Sequence, residues 1–345
     1  NSGWDGIPWD DNTSWYDAPT GTNSPGDYPT AGDIAVIRGD NYEDGINVSG
    51  TQEAAEVIMQ REGTYADIED LPRLRFAPTD ELTAGKISGV GDLYLQQSTT
   101  SSPVVNTDLG EFAANDTSLV QFYMTENGTY NVSEADFFSV MPTLRVYGDN
   151  SDYNRIASFN YDFECTKMVV DGEARLRVGG NYTVDSLTRL GFTGYGGIEF
   201  PNGTEAYTFS TGDFVTGNAK NSNNDFQLTV ETGGGNGVVH TFEVREGIDL
   251  DFNDAGGNFL LDLYTTAADN NAVLKLAGEG NHAFVNGYAA GNSTIEFYRI
   301  IMNKGSDTIS QFIFEDNFTL NGPTSGADVP KAIELQNGKL ILNDP

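Results

Sequence analysis

Short runs in which apolar and polar residues alternate, separated by glycine, asparagine and aspartate, occupy this chain from one end to the other. Asp33-Ile34-Ala35-Val36-Ile37, Ala174-Arg175-Leu176-Arg177-Val178 and Thr294-Ile295-Glu296-Phe297-Tyr298 are examples. A period of two sends alternate side chains to opposite faces of a sheet, so each run predicts a strand with one buried face. Gly, Asn and Asp tolerate the positive φ that tight corners need, which explains their place between the runs. Helical periodicity is nearly absent. Gln52-Glu53-Ala54-Ala55-Glu56-Val57-Ile58-Met59 comes nearest, but it is short and ends before Gly63, so no full helix is expected there. Many short, closely spaced strands without helices between them restrict the fold to a sandwich, a barrel or a parallel β-helix.

A weak internal repeat favours the last of these. Ser118-Leu119-Val120-Gln121-Phe122-Tyr123-Met124 resembles Ser293-Thr294-Ile295-Glu296-Phe297-Tyr298-Arg299. Each follows a Gly-rich corner, at Ile87–Leu95 and at Leu276–Val285, and each precedes a strand-corner-strand segment, Met168–Leu176 and Ile333–Ile341. Units of strand, corner and strand are what the coils of a β-solenoid consist of, and stacked coils bury one continuous apolar column. The fold predicted is therefore all-β, a right-handed parallel β-helix. The alternative is a β-sandwich, serving as a binding module or shell subunit, in which strands run mostly antiparallel. The scarcity of two-residue hairpin turns speaks against it.

Residues 1–32 read as an N-terminal cap and first corner, and 33–345 as coils, with a less regular insertion near 194–237. Trp4, Trp9 and Trp15 fit a cap over the open end of the column better than a sugar-stacking platform, because a solenoid must cover its terminal coil. No signal peptide is visible at Asn1-Ser2-Gly3-Trp4, and the chain ends in a strand and turn. The expectation is a fragment of a longer protein.

Charge narrows the setting. With 18 Lys+Arg against 51 Asp+Glu the formal charge is −33, which repels phosphate backbones and argues against a nucleic-acid partner. No apolar run approaches the length of about 18 residues that a membrane-spanning helix needs. One cysteine, Cys165, excludes an internal disulfide framework and a Cys-based metal site; beside a strand it reads as a small packed residue. High charge keeps a protein soluble and suits a salty or calcium-containing exterior. Asn-x-Ser/Thr sequons recur from Asn12 to Asn317 and permit glycosylation in a secreted protein. Together with the abundance of Asn, Thr and Gly, these features predict an extracellular or cell-surface location.

Chemistry is sparse. Asp249 and Asp251 share a strand face by the period-2 rule, and with Asp254 they are the best candidates for holding calcium. An EF-hand is rejected, since Asp254 and Leu260 stand where that loop needs Gly and Glu. Calcium is thus the one cofactor the sequence leaves open. His240 and His282 are too few and too far apart to predict a zinc site. Gly233-Gly234-Gly235-Asn236-Gly237 lacks the Gly-Lys-Ser/Thr of a phosphate loop and reads as a turn. No catalytic residue is assigned.

Trp9, Asn12-Thr13-Ser14-Trp15, Ser24-Pro25-Gly26-Asp27-Tyr28-Pro29 and Ala31-Gly32-Asp33-Ile34-Ala35-Val36-Ile37 stand in a distinctive order. That order resembles the opening of β-helical surface proteins from Bacteroidetes, where a tryptophan pair, a proline corner and a G-D-x-V-x-I strand begin the first coil. Ala35 stands where that pattern has Val. The segments Gly278-Glu279-Gly280, Asn317-Phe318-Thr319-Leu320 and Leu335–Leu342 look like later coils of the same family. The resemblance implies export by the type IX route and display on the cell surface, inside a large adhesin or filament protein. The sorting domain expected of that family is not in this sequence. The function expected is structural and adhesive, with copies of the chain, other segments of the same protein or surface glycans as partners. The runner-up is a carbohydrate-active β-helix, a polysaccharide lyase or glycosidase.

Overall fold

Parallel strands cannot be joined by a tight turn, so a sheet of them forces the chain to travel away and return. In this protein a winding takes 19 residues from Phe163 to its neighbour Tyr182, and 33 from Ile300 to Ile333. The structure is a computed structural model that describes residues 7–11, 28–39, 45–61, 71–113, 117–134, 137–148, 155–172, 174–190, 194–216, 224–231, 236–250, 259–263, 270–286, 294–306, 308–314, 318–322 and 332–342. It is nearly all strand, with one short helix, Gly110–Ala113, among the described residues. The long parallel sheets are those of a β-helix, as the alternation and the repeat predict. Contacts divide the chain into two units, Asn1–Glu126 with Val140–Arg145, and Asn127–Ser139 with Val146–Pro345.

In the first unit, strands Gly45–Val48, Arg73–Phe76, Asp92–Gln97 and Leu119–Met124 stack in register. Leu74, Leu93 and Val120 stand above one another, as do Phe76, Leu95 and Phe122, and all six are buried. A second sheet stacks Ile34–Gly39 on Glu56–Arg61, which in turn meets the end of Glu81–Gly89. The segment with the best helical periodicity is two strands, Thr51–Ala54 and Glu56–Arg61, because burying Gln52, Ala54, Val57 and Met59 requires period 2. Trp9 is fully buried and its indole N–H donates to the Pro29 carbonyl at 3.3 Å. Trp4 and Trp15 lie outside the described residues.

The second unit repeats the plan. One sheet stacks Phe163–Gly172, Tyr182–Leu190 and Thr208–Thr216; later windings continue each long strand as two shorter ones. Phe163, Tyr182, Phe209 and Phe242 form an aromatic column with successive ring centroids 4.1, 5.9 and 5.9 Å apart. Opposite runs a ladder from Gly128–Val132 through Arg155–Phe159, Ala174–Val178, Gly194–Phe200 and Asn224–Val230 to Phe259–Asp262. Within the stretch 194–237, strands Gly194–Phe200, Thr208–Thr216 and Asn224–Val230 take their places in these ladders. Cys165 is a buried member of the column, opposite Val184.

Corners stack as closely as strands do. Gly89 and Gly278, from the repeated corner motif, have φ of 87° and 71°. A Cβ on either would overlap the carbonyl oxygen of the preceding winding, at Met59 and Arg245 respectively. Gly237, with φ 63°, has open space around it. Left-handed backbone alone costs an L-residue about 1–2 kcal/mol, and Gly278→Ala adds the clash. Gly278→Ala is therefore expected to lower the thermal midpoint clearly more than Gly237→Ala. Equal losses in paired thermal melts would show that corner stacking contributes nothing.

Candidate functional site

Alternation sends Leu74, Leu93 and Val120 into the column of the first unit and leaves the other face of the same strands to Arg73, Arg75, Asp92, Tyr94 and Gln121. That face carries a polar cluster, and it is buried too. Register puts Arg73 beside Asp92, with Nε 2.5 Å from Oδ2. Gln121 donates to the same oxygen at 2.6 Å, and Arg145 donates to the Gln121 side-chain oxygen at 3.2 Å. The Arg73 guanidinium lies 5.1 Å from the Tyr94 ring centroid, and Tyr94 packs against Tyr123. Burial pushes the Asp92 carboxyl above the usual range, against the pull of Arg73 and Gln121. Burial and the charge of Arg73 lower Arg75. Asp92 is 0% exposed, so it cannot meet a polymer from solution; its work is to hold three windings together.

Removing one partner of a buried ion pair strands the other charge, at a cost of about 3–5 kcal/mol. Asp92→Ala is expected to destabilise the chain by that amount in denaturant titration. Replacing Arg73 and Asp92 together by leucine recovers most of the loss. A double variant as unstable as the sum of the two single ones would refute the pairing.

In the second unit, outward side chains form ionic ladders across windings. Arg177 reaches Glu199 at 2.7 Å and Glu231 at 3.2 Å, and Arg175 adds a contact to Glu199 at 3.5 Å. Lys275 pairs with Glu243 and Arg299 with Glu334 in the same manner. At one corner the Asp213 and Glu246 carboxyls meet directly. A hydrogen bond from Glu246 to Asp213, and then the Asp213 charge, raise the Glu246 carboxyl. Arg245 stands beside them, 3.5 Å from Asp185, with its Nη2 donating to the Val184 carbonyl at 2.6 Å. Glycosidase carboxyls stand about 5–5.5 Å apart when retaining and about 6.5–9.5 Å apart when inverting. Two carboxyls in hydrogen-bond contact fit neither arrangement.

Lys304 is fully buried and donates to the Ala277 carbonyl at 2.9 Å, with its ammonium 6.0 Å from the Phe312 ring centroid. Burial pushes its amine down to about 8. The unfolded chain then holds this proton more tightly than the folded one between pH of about 8 and the ordinary lysine value of about 10.4. Folded stability gains from Lys304 as pH rises through that window, and the cost of its buried charge is full below it. The wild type should therefore gain on Lys304→Met across the window in parallel melts, and a constant difference would refute the shift.

Of the calcium candidates, Asp249 lies in the strand Ile248–Leu250, paired to Val215 and Val285. Its side chain, Asp251 and Asp254 lie outside the described residues. Among the described residues no three His, Cys, Asp or Glu side chains converge as metal ligands, and no helix is long and apolar enough to cross a membrane. His240 is buried in the second unit, while His282 is half-buried at the start of the strand His282–Asn286, bonded to the Glu279 carbonyl at 3.0 Å. The Arg73–Asp92–Gln121 cluster escaped sequence reading. Its one visible signal is a pair of arginines at alternate positions in Arg73-Leu74-Arg75-Phe76, on the face a solvated strand also fills. The chain matches no known family model, no curated protein and no solved structure.

Proposed function

We propose that this chain is a structural and adhesive segment of a secreted bacterial cell-surface or filament protein, with no catalytic role. The observation that carries this reading is where the basic residues go. Among the basic side chains whose surroundings the structure describes, Arg38 and Lys339 are exposed and the others are buried or half-buried. Arg73, Arg175, Arg177, Lys275 and Arg299 each pair with a carboxylate on a neighbouring winding. Cations so used tie windings together and leave a predominantly anionic exterior, which suits a scaffold that must stay soluble. The sequence resemblance to Bacteroidetes surface proteins points to the same role. Copies of the chain, other segments of the same polypeptide, surface glycans and calcium are the partners that fit it.

The second reading is a carbohydrate-active β-helix, and the Asp213–Glu246 carboxyls, which stand too close for either glycosidase arrangement, speak against it. Incubation with polyuronates and neutral glucans, followed by assay of new reducing ends, separates the two. Binding without cleavage is the expected result. Depolymerisation that disappears in Asp213→Asn would sink the structural reading. The charge argument has its own check: raising salt from about 0.01 to about 1 M shortens the Debye length from about 30 to about 3 Å. That screening should raise the melting temperature, and a falling one would mean that cross-winding ion pairs outweigh self-repulsion.

A further inference from the structure

Residues 201–207 join the strands Gly194–Phe200 and Thr208–Thr216, and side chains from later windings hold them. Asn270 donates to the Gly203 carbonyl at 2.9 Å, Asn236 to the same carbonyl at 3.3 Å, and Glu231 accepts the Asn202 N–H at 3.0 Å. His240 holds both ends of the segment. Its Nε2 lies 3.1 Å from the Pro201 carbonyl, and the Tyr207 N–H donates to its Nδ1 at 3.2 Å. The ring is 0% exposed and stacks against Phe200 and Tyr207, with centroids 5.1 and 5.9 Å away. These partners fix the tautomer: Nδ1 accepts, so the proton is on Nε2. A second proton, at Nδ1, would point at the Tyr207 N–H, donor against donor.

We propose that His240 is a proton-operated latch, which on protonation gives up Tyr207 and releases residues 201–207 while the ladders on either side stay intact. The charged groups on the surrounding elements do not offset the added charge by a hydrogen bond to the ring. Glu205, on the loop itself, is engaged by the Tyr207 hydroxyl at 3.2 Å. Glu199 and Glu231 are held by Arg177. Glu243, on the strand of His240, is held by Lys275 and Ser210. Phe200 and Asn270 carry no charge, and burial together with Glu205 raises the Tyr207 phenol, which stays neutral. Burial also lowers the imidazole, against the pull of the Pro201 carbonyl. A released His240 regains the ordinary value of about 6.5. The closed state is thus favoured in full above that value. It loses about tenfold in its equilibrium per pH unit as pH falls from there to the depressed value of the closed ring. Opening uncovers Phe200, Asn270 and the loop carbonyls, so acid would change the surface this unit presents.

Amide hydrogen exchange on the whole chain, from about pH 7.5 to about pH 5 and corrected for intrinsic exchange, tests the latch. Protection of the Tyr207 amide should fall about tenfold per pH unit below about 6.5. The strand Thr208–Thr216 and residues 242–244 should keep their protection, while the Thr241 amide, which donates to the Tyr207 carbonyl, is released with the loop. In His240→Gln, which can donate and accept without titrating, the slope should vanish. Protection at Tyr207 that is independent of pH, or that is lost together with the neighbouring strands, overturns the proposal, as does a slope surviving in His240→Gln. Should that variant not fold, NMR titration of the wild-type ring decides: titration coincident with release of the Tyr207 amide supports the latch, and titration without it refutes it.

Discussion

Parallel pairing between successive windings is the constraint on which the rest depends. A strand within the stack hydrogen-bonds to the winding before it and the winding after it, so its inward side chains must stand above those of its neighbours. That requirement turns an alternating sequence into columns such as Phe163, Tyr182, Phe209 and Phe242, where one aromatic ring rests on the next. It also fixes what a corner can hold. Where the backbone of one winding meets the carbonyl of another, as at Gly89 and Gly278, a side chain has no room and the backbone takes a positive φ.

The same stacking governs polar groups. A residue on the outward face of one winding finds its partner on the next or the one after, so ion pairs link positions far apart in sequence and adjacent in space. Arg73 meets Asp92 across 19 residues, and Arg177 meets Glu231 across 54. A chain with so few cations employs them at these junctions. The resulting arrangement serves cohesion of the stack, and it explains why buried charge and an acidic exterior occur in one protein. His240 belongs to the same logic, since a ring from one winding closes the loop of the one before, but its proton makes that closure conditional.

Much of the fold was legible. Alternation in Ala174–Val178 and in Leu119–Met124 identified strands, and Gly172, Gly278 and Gly338 marked corners that have positive φ. The doubtful helix at Gln52–Met59 resolved into strands because period 2 buries its apolar residues. The polar clusters were not legible. Winding length varies from 19 residues after Phe163 to 36 after Ile248, so no fixed offset tells which arginine faces which carboxylate. His240 looked like an isolated histidine because Pro201 and Tyr207 belong to the previous winding.

The sequence by itself determined the strand character, the glycine corners, the acidic balance and the expectation of a solenoid, because these follow from local periodicity and composition. Only the tertiary structure decided register: that Asp92 lies between Arg73 and Gln121, that Asp213 touches Glu246, and that His240 lies between Phe200 and Tyr207. Register depends on how many residues each winding spends in its loops. A one-residue slip would send every side chain of a strand to the opposite face. Packing of the whole column selects that number, and no local pattern encodes it.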